Sequence, residues 1–474
     1  MSSGDARGLP PIWSALGADA ALLERVSHTG RRDGLPARLP VMELAGASVA
    51  ACSLAAAELG AVRAGRPVPR VRVDGGAVAT AFLSDRLVRL DGRSWTSFAP
   101  LSRFWRAADG WVRSHANYPH HRARLLAALG LPGDADVDAV AGAIAERRAV
   151  EVEDTVYAAG GLAVAVRGPL EWAAHEQGAL VARRPPLTLE RVDRAPARAL
   201  GEAPLPCAGL RVLDLTRVLA GPVATRTLAL LGADVLRIDT PHLPESQEAH
   251  NDTGTGKRSA LLDLAGRADH RVFQELLASA DVVVTGYRPG ALDRFGLAPE
   301  SLAERRPGLV VALLSAWGGY GPWHGRRGFD SLVQAATGIA VLEGSASGEP
   351  GALPAQALDH GTGYLLAAAV LRALTEQRRA GGTRIARLAL TQTAHWLVHG
   401  LAATPDGADP GGGGSPGRTA GGGGFDPGPW LVERDTPMGR LRYARSPVSY
   451  GQGPVDWSRP PGRWGADAPV WLSG

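Results

Sequence analysis

The 474-residue sequence contains almost no lysine. Of its 51 basic residues, Lys257 is the single lysine and the rest are arginine. Cysteine is nearly as scarce. Cys52 and Cys207 stand far apart and match no metal-binding spacing, so no metal site is implied and a reducing compartment is expected. Both suit small apolar positions. Runs of positive charge are missing too. The arginines alternate with Asp and Glu, the net charge is only +4, and a nucleic-acid partner is therefore not indicated. Long apolar runs are also lacking. The segment 363-GYLLAAAVLRAL-374 is too short to span a bilayer. The opening MSSGDARGLPPIWSALG has neither the basic region nor the apolar core of a signal peptide. These absences point to a cytoplasmic protein without a membrane partner.

What is present fits a globular chain of about two or three domains. Hydrophobic residues make up 45% and charged residues 21%. The 61 glycines and 35 prolines exceed the usual share of roughly 12%. Part of that excess is clustered, which predicts loops and linkers. Residues 184–206 are rich in Pro, Arg and Ala and read as a linker. After it, 209-GLRVLDLTR-217 reads as a buried strand and 221-GPVATRTLALLGA-233 as a helix with a Gly-Pro start. A second strand, 234-DVLRID-239, completes a βαβ unit and implies a parallel sheet. The pattern continues with a helix over 268–280, a strand and turn in 281-DVVVTGYRPG-290, a helix starting at 291, and a strand in 308-GLVVALLSAWGGYG-321. Residues 205 to about 345 thus form a doubly wound α/β domain, whose ligands bind at the carboxyl ends of the strands.

A long Ala/Leu helix lies within 355–382, followed by a strand-like 383-TRIARLALTQTAHWL-397. The segment 401–429 contains two tetraglycine runs and is expected to be mobile. The tail 430–474 holds four of the twelve tryptophans and is expected to be irregular but docked through them. There is an internal echo. Residues 46–74 and 358–390 both run turn, Ala/Leu helix, Arg-Gly loop and Arg-containing strand, with Ala47 at the position of Asp359. A diverged duplicate and two unrelated Ala-rich helices both explain it.

Five ordered segments together resemble the class III CoA-transferases, a group that includes formyl-CoA transferase, carnitine CoA-transferase and α-methylacyl-CoA racemase. They are 209–239, 257-KRSALLDL-264, 281-DVVVTGYRPGALDRFGL-297, 314-LSAWGGYGPWHGRRGFDSLVQAATG-338 and 358-LDHGTGYLLAAAVLRAL-374. Residues 103-RFWRAADGWVRSHANYPHHRARLLAALGL-131 and 157–180 are similar to the family's smaller C-terminal domain, here placed first. The resemblance implies an α/β fold: a doubly wound parallel-sheet CoA-binding domain with a smaller α+β domain, preceded by a diverged partial copy of the family fold. The implied divisions are 1–183 for the partial copy, 184–206 for the linker, 207–400 for the large domain, 401–429 for the glycine-rich segment and 430–474 for the tail. Family members are interlocked homodimers, so the chain is expected to be a homodimer or a monomer that imitates one.

The resemblance also implies the chemistry. Asp359 matches the family's nucleophile, which attacks an acyl-CoA thioester and carries the group covalently to a small carboxylic acid. From its local sequence alone Asp359 reads better as a helix N-cap, and it is the surrounding motif register that favours the nucleophile. The glycines Gly361 and Gly363 would let the CoA sulfur approach. Leu219 and Ala220 would line the adenosine pocket. Leu262, Asp263, Leu264, Ala265, Gly286, Tyr287 and Arg288 would contact CoA, with Arg294 and Arg327 near its phosphates. Arg327, Gly328, Phe329 and Asp330 would line the channel to Asp359. For Arg294 the alternative is a solvated helix charge, and for Asp330 a structural hydrogen bond. Lys257 either holds its loop, approaches a phosphate, or survives by compositional drift. His360 is left out, because neighbouring residues on a helix point apart. CoA or acyl-CoA is a substrate, and no permanently bound cofactor is implied.

Three departures weigh on this reading. Thr240 stands at a position often basic in the family, with Arg237 as a candidate substitute. Thr285 and Gly286 replace a polar pair. Phe329 occupies the place of a histidine in racemase relatives, so racemisation is not expected. The substituted turn, Thr240, the shortened small domain and the extra N-terminal copy also feed a rival: a non-catalytic CoA-binding or scaffolding member of the family.

Overall fold

The computed structural model describes residues 8–95, 98–401 and 425–472. Its frame is a seven-stranded sheet. In chain order the strands are β1 (Leu187–Arg191), β2 (Arg211–Leu215), β3 (Asp234–Asp239), β4 (Arg258–Leu261), β5 (Val282–Thr285), β6 (Val310–Ser315) and β7 (Arg384–Ala389). Their spatial order is β4-β3-β2-β5-β6-β7-β1. All pair in parallel except β1, which runs antiparallel along β7. The sheet explains the uninterrupted apolar runs: both of its faces are covered. Alternate residues divide between the faces. Val212, Val235 and Val282 join the core beneath the long helices, while Leu213, Leu236 and Val283 join Phe273 and Leu276 on the opposite side.

Strand β1 lies inside the stretch read as a linker. LTLER is short and flanked by Pro and Arg, yet it finds the open edge of β7, where Glu190 meets Arg387 at 2.9 Å. The segment after 291 also differs from expectation. It forms a single tight turn, Asp293–Phe295, before a helix at Pro299–Arg305.

Four helices position the site: α1 (Val41–Ala64), α2 (Ala220–Leu230), α3 (Asp330–Ala336) and α4 (Ala357–Ala380). Helix α4 lies between α1 and α2, in the largest core of the molecule. The α1–α4 seam is Ala-rich, and its buried charges are paired: Arg372 meets Glu58 at 2.6 Å and Arg379 reaches the same carboxylate at 3.0 Å. Helix α1 is long and apolar enough to cross a membrane by length and composition, but 83% of that window is buried within the protein.

The N-terminal unit places α1 between two parallel strands, Val26–Thr29 and Val71–Asp74, followed by a helix at Gly75–Phe82. A second small unit comes next. Three antiparallel strands (Phe104–Arg106, Trp111–Ser114 and Ala163–Ala165) pack with helices Pro119–Leu129, Val137–Ala145 and Ala149–Ala158 around a core of their own, including Val112, Leu125, Val140 and Val152. This is the smaller α+β domain.

The tail is more regular than its composition suggests. Leu431–Thr436 and Gly439–Ala444 form a hairpin whose second strand pairs with Arg89–Leu90. The tail tryptophans then tie down the edge of the sheet. Trp457 Nε1 donates to the Arg226 carbonyl at 2.7 Å and Trp464 Nε1 to Asp239 at 2.9 Å. Ala466 bridges Ala260 on β4, so the edge strand is covered. The expected mobile segment falls mostly at 402–424, outside the described residues.

Candidate active site

The chain reverses its direction of strand addition between β2 and β5, and a crevice opens outside the carboxyl ends of strands at such a point. Here it is a cleft of about 780 Å³. Its floor starts where the chain leaves β2. Val218 adopts a left-handed conformation there, with φ 70°. That is a strained state for a β-branched residue. The turn delivers Leu219 and Ala220 to the cleft at the start of α2.

The cleft gathers most of the residues singled out from sequence. Leu219, Ala220, Leu262, Asp263, Leu264, Ala265, Gly286, Tyr287, Arg288, Arg294, Arg327, Gly328, Phe329 and Asp359 all line it. Lys257 and Asp330 do not. Lys257 is 2% exposed, and its Nζ meets Asp214 Oδ2 and Thr225 Oγ1, each at 3.0 Å. It braces the turn under the cleft floor instead of facing a ligand. Arg237 does not stand in for Thr240 either. It is buried against Asp239 at 2.7 Å and Glu245 at 3.3 Å.

Three cleft arginines lack a carboxylate at salt-bridge distance among the described residues: Arg288, Arg294 and Arg327. Burial and the nearby charges of Arg288 and Arg124 pull the Arg327 guanidinium below its usual range. Arg294 belongs to the tight turn, is exposed, and lies over the Phe295 ring at 4.6 Å, so a solvated charge stays open beside a phosphate contact. The result is an unbalanced positive field in a concave site.

Asp359 lies on the wall of the same cleft, in the first turn of α4, and is 7% exposed. It is not the N-cap. Gln356 holds that position, and no side-chain cap is made. The Asp359 N–H donates to Asp330 Oδ2 at 2.9 Å, while Gln334 Nε2 donates to the other oxygen of Asp330. Burial, then the charges of Asp330 and Asp85, hold the Asp359 carboxyl well above the ordinary carboxylate range. Burial pushes Asp330 up to about 6, even though it accepts hydrogen bonds from Asp359 and Gln334. His360 points away, stacked on Phe82 at 5.2 Å and 3.6 Å from Asp85.

The two glycines beside Asp359 serve packing. A Cβ on Gly361 would fall 2.7 Å from Leu44 of α1, and one on Gly363 would fall 2.6 Å from the Ala220 carbonyl. They allow the close approach of α4 to its neighbours rather than room for a sulfur atom.

Sequence reasoning did not single out the opposite wall. Tyr118, His120 and His121 of the small unit line the cleft, together with Arg217. Tyr118 donates to Glu245 at 2.7 Å, and Arg217 lies 3.5 Å from the same carboxylate. The signal was the YPHH run inside 103–131, whose concentrated rings open the helix Pro119–Leu129. Among the described residues no His/Cys/Asp/Glu cluster is arranged to hold a metal ion.

Comparison with known proteins adds to this geometry. The model of CoA-transferase family III matches residues 207–423. Over these residues the chain is similar to that family. An acetyl-coenzyme A transferase of Hypoxylon pulicicidum is 35% identical over 202 residues, covering 41% of this chain and 34% of that protein. A formyl-CoA:oxalate CoA-transferase of Streptomyces coelicolor is 34% identical over 189 residues, covering 37% and 46%. A solved structure from Mycobacterium tuberculosis has 35% identity over 41% of this chain and 55% of that one, with a TM-score of 0.39. The chain spans about a third to a half of the length of the curated relatives it matches.

Proposed function

We propose that this family III protein transfers CoA from an acyl-CoA to a small carboxylic acid through a covalent intermediate on Asp359. The observation that carries the reading is one shared cleft. Asp359 stands on its wall with a carboxyl free of hydrogen bonds among the described residues, and three unpaired arginines line it as well. CoA offers phosphates to the arginines and a thioester to the carboxylate.

The transfer takes four balanced steps. The Asp359 carboxylate adds to the thioester carbonyl and expels CoA thiolate, leaving a mixed anhydride. The thiolate attacks the aspartyl carbonyl of the anhydride and releases the donor acid, leaving an aspartyl-CoA thioester. The acceptor carboxylate attacks that thioester and again expels CoA thiolate. Finally the thiolate takes the acyl carbonyl, and Asp359 returns as a carboxylate. CoA is consumed and regenerated as substrate, and no permanently bound cofactor is required. Two buried free thiols, Cys52 and Cys207, support a cytoplasmic setting.

Hydroxylamine tests the scheme. Protein incubated with an acyl-CoA panel and hydroxylamine should yield an aspartyl hydroxamate on the peptide holding Asp359, read by mass spectrometry. CoA binding without any adduct would favour the non-catalytic reading.

We also infer that the N-terminal unit is a diverged partial copy. Its order of strand, helix, parallel strand, helix over 26–82 parallels that of β6, α4, β7 and the helix Leu390–His395, except that α3 and the helix Ile339–Leu342 lie between β6 and α4. With α1 already seated on α4, the chain should be monomeric. Light scattering should return 49.3 kDa, and a value twice as large would refute this.

A further inference from the structure

The small unit holds two buried imidazoles that nothing among the described residues fully satisfies: His121, which lines the cleft, and His115, which stacks on the cleft residue Phe329. His121 is 4% exposed, and neither its Nδ1 nor its Nε2 has a hydrogen-bond partner. His115 is also 4% exposed, and its Nδ1 is unpartnered. Their rings are fixed by aromatic contact. His115 stacks on Phe329 with centroids 3.6 Å apart and planes 5° apart. His121 stands edge-on to the same phenyl ring at 6.0 Å and to Tyr118 at 5.5 Å. Phe329 directly precedes Asp330, whose carboxylate accepts the Asp359 N–H. His121, Phe329 and Asp359 thus line one cleft, and on the CoA-transfer reading the acyl group sits beside Asp359.

We propose that His121, supported by His115, is a specificity-determining residue that hydrogen-bonds a polar oxygen on the acyl group. The acids handled are then hydroxy- or oxo-substituted, and plain alkyl acids are poor ligands. This rests on the CoA-transfer reading of the cleft. A buried imidazole without a partner carries a desolvation cost that a polar acyl group removes and an alkyl group leaves in place. The ring is suited to the task. Burial, His120 and the nearby Arg327, Arg124 and Arg217 push His121 down to about 3, so it is neutral near pH 7. A neutral imidazole offers one donor and one acceptor, which matches a hydroxyl group.

Two isosteric thioester pairs test the idea: glycolyl-CoA against propionyl-CoA, and 3-hydroxybutyryl-CoA against isovaleryl-CoA. Each pair exchanges a hydroxyl for a methyl. Calorimetric titration of Asp359→Asn, which cannot turn over, isolates recognition from chemistry. The hydroxylated member should bind roughly tenfold to a hundredfold more tightly in at least one pair. Adding His121→Phe should erase that preference while leaving the affinity for CoA itself unchanged, and His121→Gln should retain part of it. A preference for the alkyl member, or one that survives His121→Phe, overturns the proposal. Failure of Asp359 to form an adduct in the wild type, with the hydroxyl preference intact, would refute the covalent scheme and leave the recognition site standing. Absence of binding by CoA and all four thioesters would overturn both.

Discussion

Asp359→Asn should abolish turnover, by roughly a thousandfold or more, and should eliminate the hydroxamate while CoA still binds. An amide has no anionic oxygen to attack a thioester and cannot yield the anhydride. The same substitution should raise stability wherever the wild-type carboxyl is ionised. Burial holds Asp359 above its ordinary range, with the charges of Asp330 and Asp85 adding to the shift, and it pushes Asp330 up to about 6. A carboxyl whose folded pKa exceeds its unfolded value of about 3.9 binds its proton more tightly when folded. Its contribution to stability is present below the unfolded value and is lost as pH rises through the folded one. Where the carboxyl is ionised the wild type thus carries a cost that Asn removes. The gain in unfolding midpoint should shrink as the pH falls toward the ordinary carboxylate range. Asp330→Asn supplies a second check. It keeps an oxygen for the Asp359 N–H but removes a neighbouring negative charge, so hydroxamate formation should extend to lower pH. Turnover of Asp359→Asn within tenfold of wild type would place the nucleophile elsewhere.

Most of the sheet was legible because burial on both faces gives uninterrupted apolar runs, as in VVVT and VVALLS. Strand β1 was not. Its five residues lie in a Pro- and Arg-rich stretch, and its partner β7 is almost two hundred residues further on, so nothing local marks it. The tail hairpin was hidden in the same way by charged residues on its exposed positions. The site divides along similar lines. Loops at the ends of β2, β5 and β6 could be placed because strand ends are readable. Tyr118, His120 and His121 could not, since they come from a separate unit with its own core and reach the cleft only through tertiary packing. The glycines beside Asp359 were visible, but their role was not. Only the neighbouring helices show that Gly361 and Gly363 are there for backbone approach.

Lys257→Met should destabilise the protein by about 3–5 kcal/mol in denaturant unfolding, more than loss of any surface charge. The reason is the company this single lysine keeps. Its side chain and that of Asp214 are both fully buried, with Nζ and Oδ2 3.0 Å apart. Thr216 and Thr225 complete the shell, donating to Asp214 at 2.5 Å and 2.6 Å. Removing the ammonium leaves a carboxylate inside the core with its charge uncompensated. Replacing both partners, as Asp214→Asn with Lys257→Met, should recover most of the loss, because the cost lies in the unpaired charge and not in the missing attraction. The pH dependence gives an independent signature. Burial pushes Lys257 down to about 8 despite the charge of Asp214. A lysine depressed in the folded state is costly where it is charged, and that cost is relieved between about pH 8 and its unfolded value near 10.4. Wild-type stability should therefore gain over that window relative to Lys257→Met. An arginine here would need space for a planar fork in a site fitted to one compact ammonium, which accounts for a lysine in a chain that uses arginine everywhere else. The bond network ends at Thr216, the first residue of the turn that presents Leu219 and Ala220. Lys257→Met protein that remains folded should thus show a raised KM for acyl-CoA, with the acceptor KM unchanged.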